Sequence, residues 1–307
     1  MDGAVAESLD TLAGTTVCAL PDGSVDRHVH VHDSETRLTD RETFGERIAA
    51  GERSFRFVEQ WTGVGGQAVN VARQSHALGA ETTLFGHVDP GLPFETVTLG
   101  DPAQVTVCEF EAGDVMLATE SEDLRRCDAE RLAEVGAFDR APDVWVVTNF
   151  VSVPGVADVL AALPGSAPCV LDPGPITGIG SDRAARLASV VSDRTVISAN
   201  RGELSALADA LDTSVASLRE TLGVRAVVVH ETDEAVAFHG ERTAVENFDA
   251  REISERTGAG DCFSAGLALA LGTGWELERA LALGNRCASY HVERAGMGTP
   301  EELRSFR

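Results

Sequence analysis

From residue 128 onward the chain alternates amphipathic and strand-like segments, and this rhythm limits the fold more than any other feature. The apolar runs VWVVTN (144–149), PCVLD (168–172) and TVISA (195–199) read as short, fully buried strands. Between and after them lie helical segments at 128–136, from Pro154 to about 163, at 181–191, 201–210 and 213–222. Strands alternating with helices imply a mostly parallel sheet covered on both faces. RAVVVH (225–230) and AVAFHG (235–240) read as a strand pair. Two long helices follow at about 258–271 and 275–292, and Thr299-Pro300 opens a short last one with a cap and a first-turn Pro.

The first 120 residues have a different texture. TTVCAL (15–20) is apolar, whereas SVDRHVHVH (24–32) and FRFVEQW (55–61) alternate as half-exposed strands do. Residues 33–54 are polar, with room for a short helix, and GVGG leads into a helix over 67–78. Strands are expected at 82–88, about 94–99, 105–111 and 114–119. The half-polar strands would form a small separate sheet. With no linker rich in Pro or Gly, the expectation is one α/β domain over 1–307, with a β lid at about 24–61 and 94–119.

The strongest chemical signal is Thr257-Gly258-Ala259-Gly260-Asp261, which opens the helix CFSAGLALAL. Glycines there let the backbone turn successive N–H groups outward, and the helix start adds partial positive charge. Together they make an anion cradle suited to a phosphoryl group. A carboxylate in the first turn is placed to take a hydroxyl proton.

Composition sharpens this. All 25 basic residues are Arg. Without Lys the chain cannot build a P-loop, the strand Lys of a protein kinase or a Schiff base. Its net charge of −24 repels nucleic acid and anionic membranes. The acid is spread along the chain rather than collected in a tail, so adaptation to high salt is expected rather than an acidic docking surface. The six Cys show no C-x-x-C spacing and sit mostly in apolar runs, as reduced, buried thiols of a cytoplasmic protein do. The N-terminal residues do not read as a signal peptide, and the apolar stretch 263–275 is too short to span a bilayer.

ERTGAGDCFSAGLA resembles the second signature of the ribokinase/PfkB carbohydrate kinases, D-T-x-G-A-G-D-x-F. Gly65-Gly66-Gln67-Ala68-Val69-Asn70-Val71-Ala72 with Leu78-Gly79 resembles the first, G-G-N-x-x-N-x-A…L-G. Asn200-Arg201-Gly202-Glu203 is similar to the family's N-x-x-E, Gly23-Ser24-Val25-Asp26 to its N-terminal substrate-binding segment, and Asn285 and 295–298 to the region beside adenine. The matches fall in order across nearly the whole chain.

The resemblance implies a three-layer ribokinase-like sandwich with a β lid. It also implies ATP-dependent phosphorylation of a hydroxyl on a small sugar, sugar phosphate or nucleoside. Asp261 would be the base, and Gly258, Ala259 and Gly260 the anion hole. Asn200, Glu203, Thr257, Asn285 and Gly298 would serve the nucleotide, with Glu203 holding Mg²⁺ through water. Asp26, Gly65, Gly66, Gln67 and Asn70 would hold the substrate. Pairing of two copies through the lid would follow by the same resemblance.

The chain departs from the pattern at several points. Gln67 replaces the usual Asn. Glu255 and Arg256 replace the Asp and Thr before GAGD, so a monovalent cation site is not carried over. His230-Glu231-Thr232-Asp233-Glu234 stands where the family has a Gly-containing loop over the nucleotide, and the stretch after Gly86 is short by about one helix.

Three other classes compete. Gly63-x-Gly65-x-x-Ala68 with Asp89 fits a dinucleotide fingerprint and an NAD(P)-dependent oxidoreductase, although its strand alternates and GAGD is left unexplained. His28, His30 and His32 share one face of a strand, as an H-x-H metal site would, but a polar lid face accounts for them. A non-catalytic relative that binds nucleotide or sugar is the third.

Overall fold

The computed structural model describes residues 2–33, 36–111, 113–174, 179–248, 253–254 and 257–306, with side chains from Val5 onward. Glu255 and Arg256 lie outside the described residues. In chain order the elements are α1 (Asp2–Ser8), β1 (Thr16–Leu20), β2 (Ser24–Asp33), β3 (Thr36–Arg37), α2 (Arg41–Ala49), β4 (Arg56–Gly65), α3 (Gln67–Ala77), β5 (Glu81–Gly86), β6 (Glu95–Thr98), β7 (Ala103–Cys108) and β8 (Val115–Thr119). Then come α4 (Glu122–Arg126), α5 (Ala129–Glu134), β9 (Val144–Thr148), α6 (Val156–Ala162), β10 (Cys169–Asp172), α7 (Ser181–Val190), β11 (Thr195–Ala199), α8 (Arg201–Ala210) and α9 (Leu218–Leu222). The chain closes with β12 (Ala226–His230), β13 (Glu234–Phe238), β14 (Arg242–Glu246), α10 (Ala259–Gly272), α11 (Leu277–Arg294) and α12 (Pro300–Ser305).

Nine strands form the main sheet in the order β14-β13-β12-β11-β10-β9-β1-β5-β6. Pairing is parallel from β12 to β6, and β13 and β14 add an antiparallel edge. The side-chain period of two divides each buried strand between two cores. Val17 and Ala19 pack with α3, α10 and α11, while Cys18 and Leu20 face the layer built from α4 to α9. Val144 and Val146 against Trp145 and Val147 repeat the split on β9. This is the three-layer ribokinase-like sandwich the sequence resembles, with a mostly parallel centre.

Helix α10 is apolar on all sides because it lies between the sheet and α11. Gly266 and Gly284 let the two helices touch: a Cβ on Gly284 would lie 2.8 Å from the Phe263 ring. Among the described residues no helix is long and apolar enough to cross a membrane.

The second sheet is a five-stranded lid, in which β2 pairs with β3, β4 and β7, and β7 with β8. Its own core is Val29, Val31, Leu38, Phe44, Cys108 and Phe110, with Phe44 contributed by α2. The lid spans differ from expectation in two ways. Glu95–Thr98 is not a lid strand but the edge of the main sheet, paired parallel to β5. In the other direction β4 continues past Trp61 to Gly65. The alternation of 94–99 is a poor guide because an edge strand of a covered sheet is half exposed, just as a lid strand is. The segment 87–94 joins β5 to β6 without a helix, which accounts for the short stretch after Gly86.

Candidate active site

The carboxyl ends of the parallel strands carry a row of polar residues. Asp172 ends β10, His230 ends β12, Asn149 and Asn200 follow β9 and β11, and Asp22 follows β1. In open α/β sheets ligands bind at these ends, where the strand order reverses. Here the reversal lies between β1 and β9, and Asn149 Nδ2 donates to Asp22 Oδ2 at 3.4 Å there.

Asp22 is nearly fully buried and shapes the start of α3. It accepts from the backbone N–H of Gln67 at 2.9 Å and of Ala68 at 2.8 Å, and from the Thr148 hydroxyl. Gly66, at the cap of α3 with φ 106, has no side chain to cap it, so Asp22 supplies the missing acceptor from the loop after β1. A Cβ on Gly66 would stand 2.7 Å from the Gly23 Cα, so this close approach needs glycine at 66.

Asp261 sits in the first turn of α10, 8% exposed, behind Gly258 at φ 87. Asn70, on the second turn of α3, donates from Nδ2 to Asp261 Oδ2 at 2.7 Å. Burial and the neighbouring Asp172 push the Asp261 carboxyl well above the usual carboxylate range, opposed by the Asn70 hydrogen bond. Once ionised, such a carboxylate is a stronger base than an exposed one. Asp172 is pushed up to about 6, chiefly by burial.

On the lid side, Asp26 of β2 lies against Gly65 at the end of β4, so close that a Cβ at 65 would be 1.9 Å from its Oδ2. Ser24 donates to Asp26, and burial raises its carboxyl. Arg73 donates to the Val64 carbonyl at 2.7 Å nearby. The lid also reaches the anion loop: Thr257 Oγ1 donates to Asp114 Oδ2 at 3.1 Å.

On the far side of the α10 start is a cavity of about 340 Å³, lined among others by Asn200, Asn247, Phe248, Gly260, Ala288 and Val292. Its size and mixed lining suit a small molecule with one flat apolar face. Asn247 frames it by accepting from Phe248 N and the Ser289 hydroxyl and donating to the Glu231 carbonyl. Asn200 caps α8 in a reciprocal capping box with Glu203, whose carboxyl is pushed up to about 7 by burial and by Asp172. His230 Nε2 is buried without a hydrogen-bond partner, and burial lowers this ring to about 4, so it stays neutral.

The sequence-expected residues divide. Asp261, Gly258, Ala259, Gly260, Asn70, Asn200 and Glu203 come together around the start of α10 and the strand ends. Gln67 does not present its amide nitrogen outward: Nε2 donates to Asp172 Oδ1 at 3.0 Å. Asn285 lines the cavity, but its Nδ2 is bound to the carbonyls of Val245 and Glu246, so it holds the end of β14 in place. Gly298 lies away from the cavity lining, tied through its N–H and carbonyl to Gln74 of α3. Of the acids in 231–234, Glu231 and Asp233 line the cavity, Glu231 accepting from the backbone N–H of Arg201 at 2.7 Å, while Glu234 lies outside the lining and pairs with Arg242. Asp22, Asp172, Asn149, His230 and Asn247 were missed. All but Asn247 lie at carboxyl ends of strands, a signal the sequence did carry.

Two alternatives lose their footing here. Gly63 and Gly65 lie within the last residues of β4, a lid strand, so the Gly63-x-Gly65-x-x-Ala68 segment is not at the end of a central parallel strand as a dinucleotide site requires. His28 and His30 converge on Glu109, at 2.9 and 3.4 Å, and His28 stacks on Trp61. Among the described residues no cluster of three or more His, Cys, Asp or Glu is arranged to hold a metal.

Residues 165–304 match the pfkB family carbohydrate kinase description. A ketohexokinase from Haloferax volcanii is 28% identical over 325 aligned positions, which cover 89% of this chain and 84% of the relative. The solved adenosine kinase of Sinorhizobium meliloti superposes with a TM-score of 0.72 at 17% identity, covering 95% of this chain and 98% of that one. Arabidopsis thaliana ribokinase, solved with ribose and ATP, gives 0.65 at 19% identity, covering 96% and 98%. Residues 165–304 are thus similar to the pfkB carbohydrate kinases, and the chain shares the fold of the solved ribokinase-like structures.

Proposed function

We propose that the chain transfers the γ-phosphoryl group of ATP to a hydroxyl of a small sugar, sugar phosphate or nucleoside. The observation that carries the reading is the buried Asp261 at the start of α10, bonded by Asn70 and facing a left-handed glycine turn. The substrate hydroxyl gives its proton to an Asp261 carboxylate oxygen as its oxygen attacks the γ-phosphorus. The bond to the bridging oxygen breaks and ADP leaves with that electron pair. The N–H groups of Gly258, Ala259 and Gly260 meet the charge that gathers on the transferring group, a task no Lys shares in this chain.

Asp26 and Asn70, with close backbone approach at Gly65 and Gly66, hold substrate hydroxyls. The base of ATP enters the cavity beside Phe248, Ala288 and Val292. The donor set fits Mg²⁺, which keeps most of its waters and takes one or two carboxylates plus phosphates. Glu203 would hold it through water, where the ion neutralises phosphate charge. The exposed Phe57, Trp61, Met116 and Leu117 on lid strands support pairing of two copies through the lid. The acidic surface supports a salt-rich cytoplasm as the setting.

The test is ADP release across sugars, sugar phosphates and nucleosides with Mg²⁺ in molar KCl. A positioned general base contributes about 10²–10⁴-fold, so Asp261→Asn should lose that much in kcat while still binding both ligands. An Asn variant within tenfold of the parent rate overturns the reading. Nucleotide binding without transfer to any acceptor would mark a non-catalytic relative.

A further inference from the structure

Asp172 was not among the expected site residues, yet it is 4% exposed and fully engaged. Its Oδ1 accepts from Gln67 Nε2 at 3.0 Å and from Gly174 N at 3.2 Å. Its Oδ2 accepts from Ser264 Oγ at 3.0 Å, and Ser264 also meets Ser198 Oγ of β11 at 2.9 Å. Gln67 stands one turn before Asn70 on α3, and Ser264 one turn after Asp261 on α10. The two helices are therefore joined twice. One link, Asn70 to Asp261, is at the reacting group, and the other, through Asp172, is a turn behind it.

We propose that Asp172 is a positioning residue for phosphoryl transfer: by binding Gln67 and Ser264 together it sets α3 against α10 so that Asn70 and Asp261 meet. This also explains Gln at 67. Its extra carbon lets the amide reach the end of β10, where Nε2 donates to Asp172 Oδ1. The proposal rests on the kinase reading above.

The groups facing Asp261 are Asp22 and Asp172 from the strand ends, Gln67 and Asn70 from α3, and Cys262 of its own helix. Those facing Asp172 include Asp22, Ser264 and Glu203 of α8. Asp172→Asn removes one negative charge from this set while keeping an acceptor.

The experiment compares kcat against pH, both KM values, the Mg²⁺ requirement and the unfolding midpoint for Asp172→Asn, Asp172→Ala, Ser264→Ala and Asp261→Asn. Misplacement of a reacting group by about 1 Å costs about 10²-fold. The expectation is a loss of that order in kcat for Asp172→Ala, with Asp172→Asn retaining more. The acid limb of the Asp172→Asn profile should move to lower pH, and nucleotide KM should stay within about twofold of the parent. Ser264→Ala should lower kcat without moving the acid limb, and it keeps the test alive if the Asp172 variants do not fold. An unchanged kcat and acid limb in the folded variants overturns the proposal. So does a loss accompanied by a raised Mg²⁺ or nucleotide requirement, which would place Asp172 at the donor. If Asp261→Asn keeps full rate, the kinase mechanism itself fails, and that result is read separately.

Discussion

Gly65→Ala is a small change with a large local consequence. An added Cβ would lie 1.9 Å from Asp26 Oδ2, 2.4 Å from its Cγ and 2.8 Å from its Oδ1. No carbon occupies such a position, so something must move. The atoms in the way are the free end of one side chain rather than backbone, and residue 65 has no left-handed φ to strain. The fold should therefore survive while the Asp26 carboxylate swings off its place and loses its Ser24 partner. If Asp26 holds a substrate hydroxyl, a hydrogen bond to a charged group worth about 1.5–3 kcal/mol is lost. At about 1.36 kcal/mol per tenfold, kcat/KM for the acceptor should fall about 10- to 150-fold. KM for ATP should not change, because the cavity proposed for the base is lined by Asn200, the loop after β12, α10 and α11 and not by Asp26 or Gly65. Steady-state kinetics in both substrates and a thermal melt check this, and Asp26→Ala completes a double-mutant cycle. Unchanged acceptor kcat/KM refutes the reasoning, and so does a full Gly65→Ala effect persisting in the Asp26→Ala background.

Three further outcomes are expected. Asp172 and Glu203 bind protons more tightly folded than unfolded, so the stability they give is complete below about pH 4 and lost as pH rises toward 6 and 7. Asp40 and Glu302 act in the opposite sense below the ordinary carboxylate range, so the ligand-free melting midpoint should peak near pH 5 and fall toward pH 8. Glu203→Gln should flatten that fall, and a steeper fall in this variant would contradict the assignment. Gly284→Ala should overpack the α10–α11 crossing against the Phe263 ring and cost about 1–3 kcal/mol in a denaturant titration; a neutral result would mean the helices separate freely. Finally, the melting midpoint should climb with KCl, as self-repulsion at a net charge of −24 is screened, and full stability in dilute buffer would defeat the salt explanation.

Much of the fold was legible because burial writes itself into the sequence. VWVVT, CVLD and TVISA have no polar face because both faces are covered. Thr299-Pro300 marks a helix start through residue type alone, and the structure completes it as a capping box between Thr299 and Glu302. Edge strands were harder. Glu95–Thr98 and Arg242–Glu246 are half exposed in a covered sheet, so their alternation does not distinguish them from lid or loop. The short helix Glu122–Arg126 went unseen because one buried residue, Leu124, carries no period.

By itself the sequence determined the alternating α/β architecture, the anion turn at 257–261 and the want of any Lys to assist it. These depend on residue type and spacing along the chain. Only the tertiary structure decided which carboxylates surround Asp261. Asp22, Asp172 and Asp261 lie far apart in sequence and meet because β1 and β10 end, and α10 begins, at the carboxyl end of the sheet. The raised proton affinities of Asp172 and Asp261 follow from burial and mutual repulsion, quantities that no local pattern encodes. Gln67 shows the same division: its position was visible in the sequence, but that it reaches back to Asp172 rather than outward was settled only when α3 packed against α10 and the sheet.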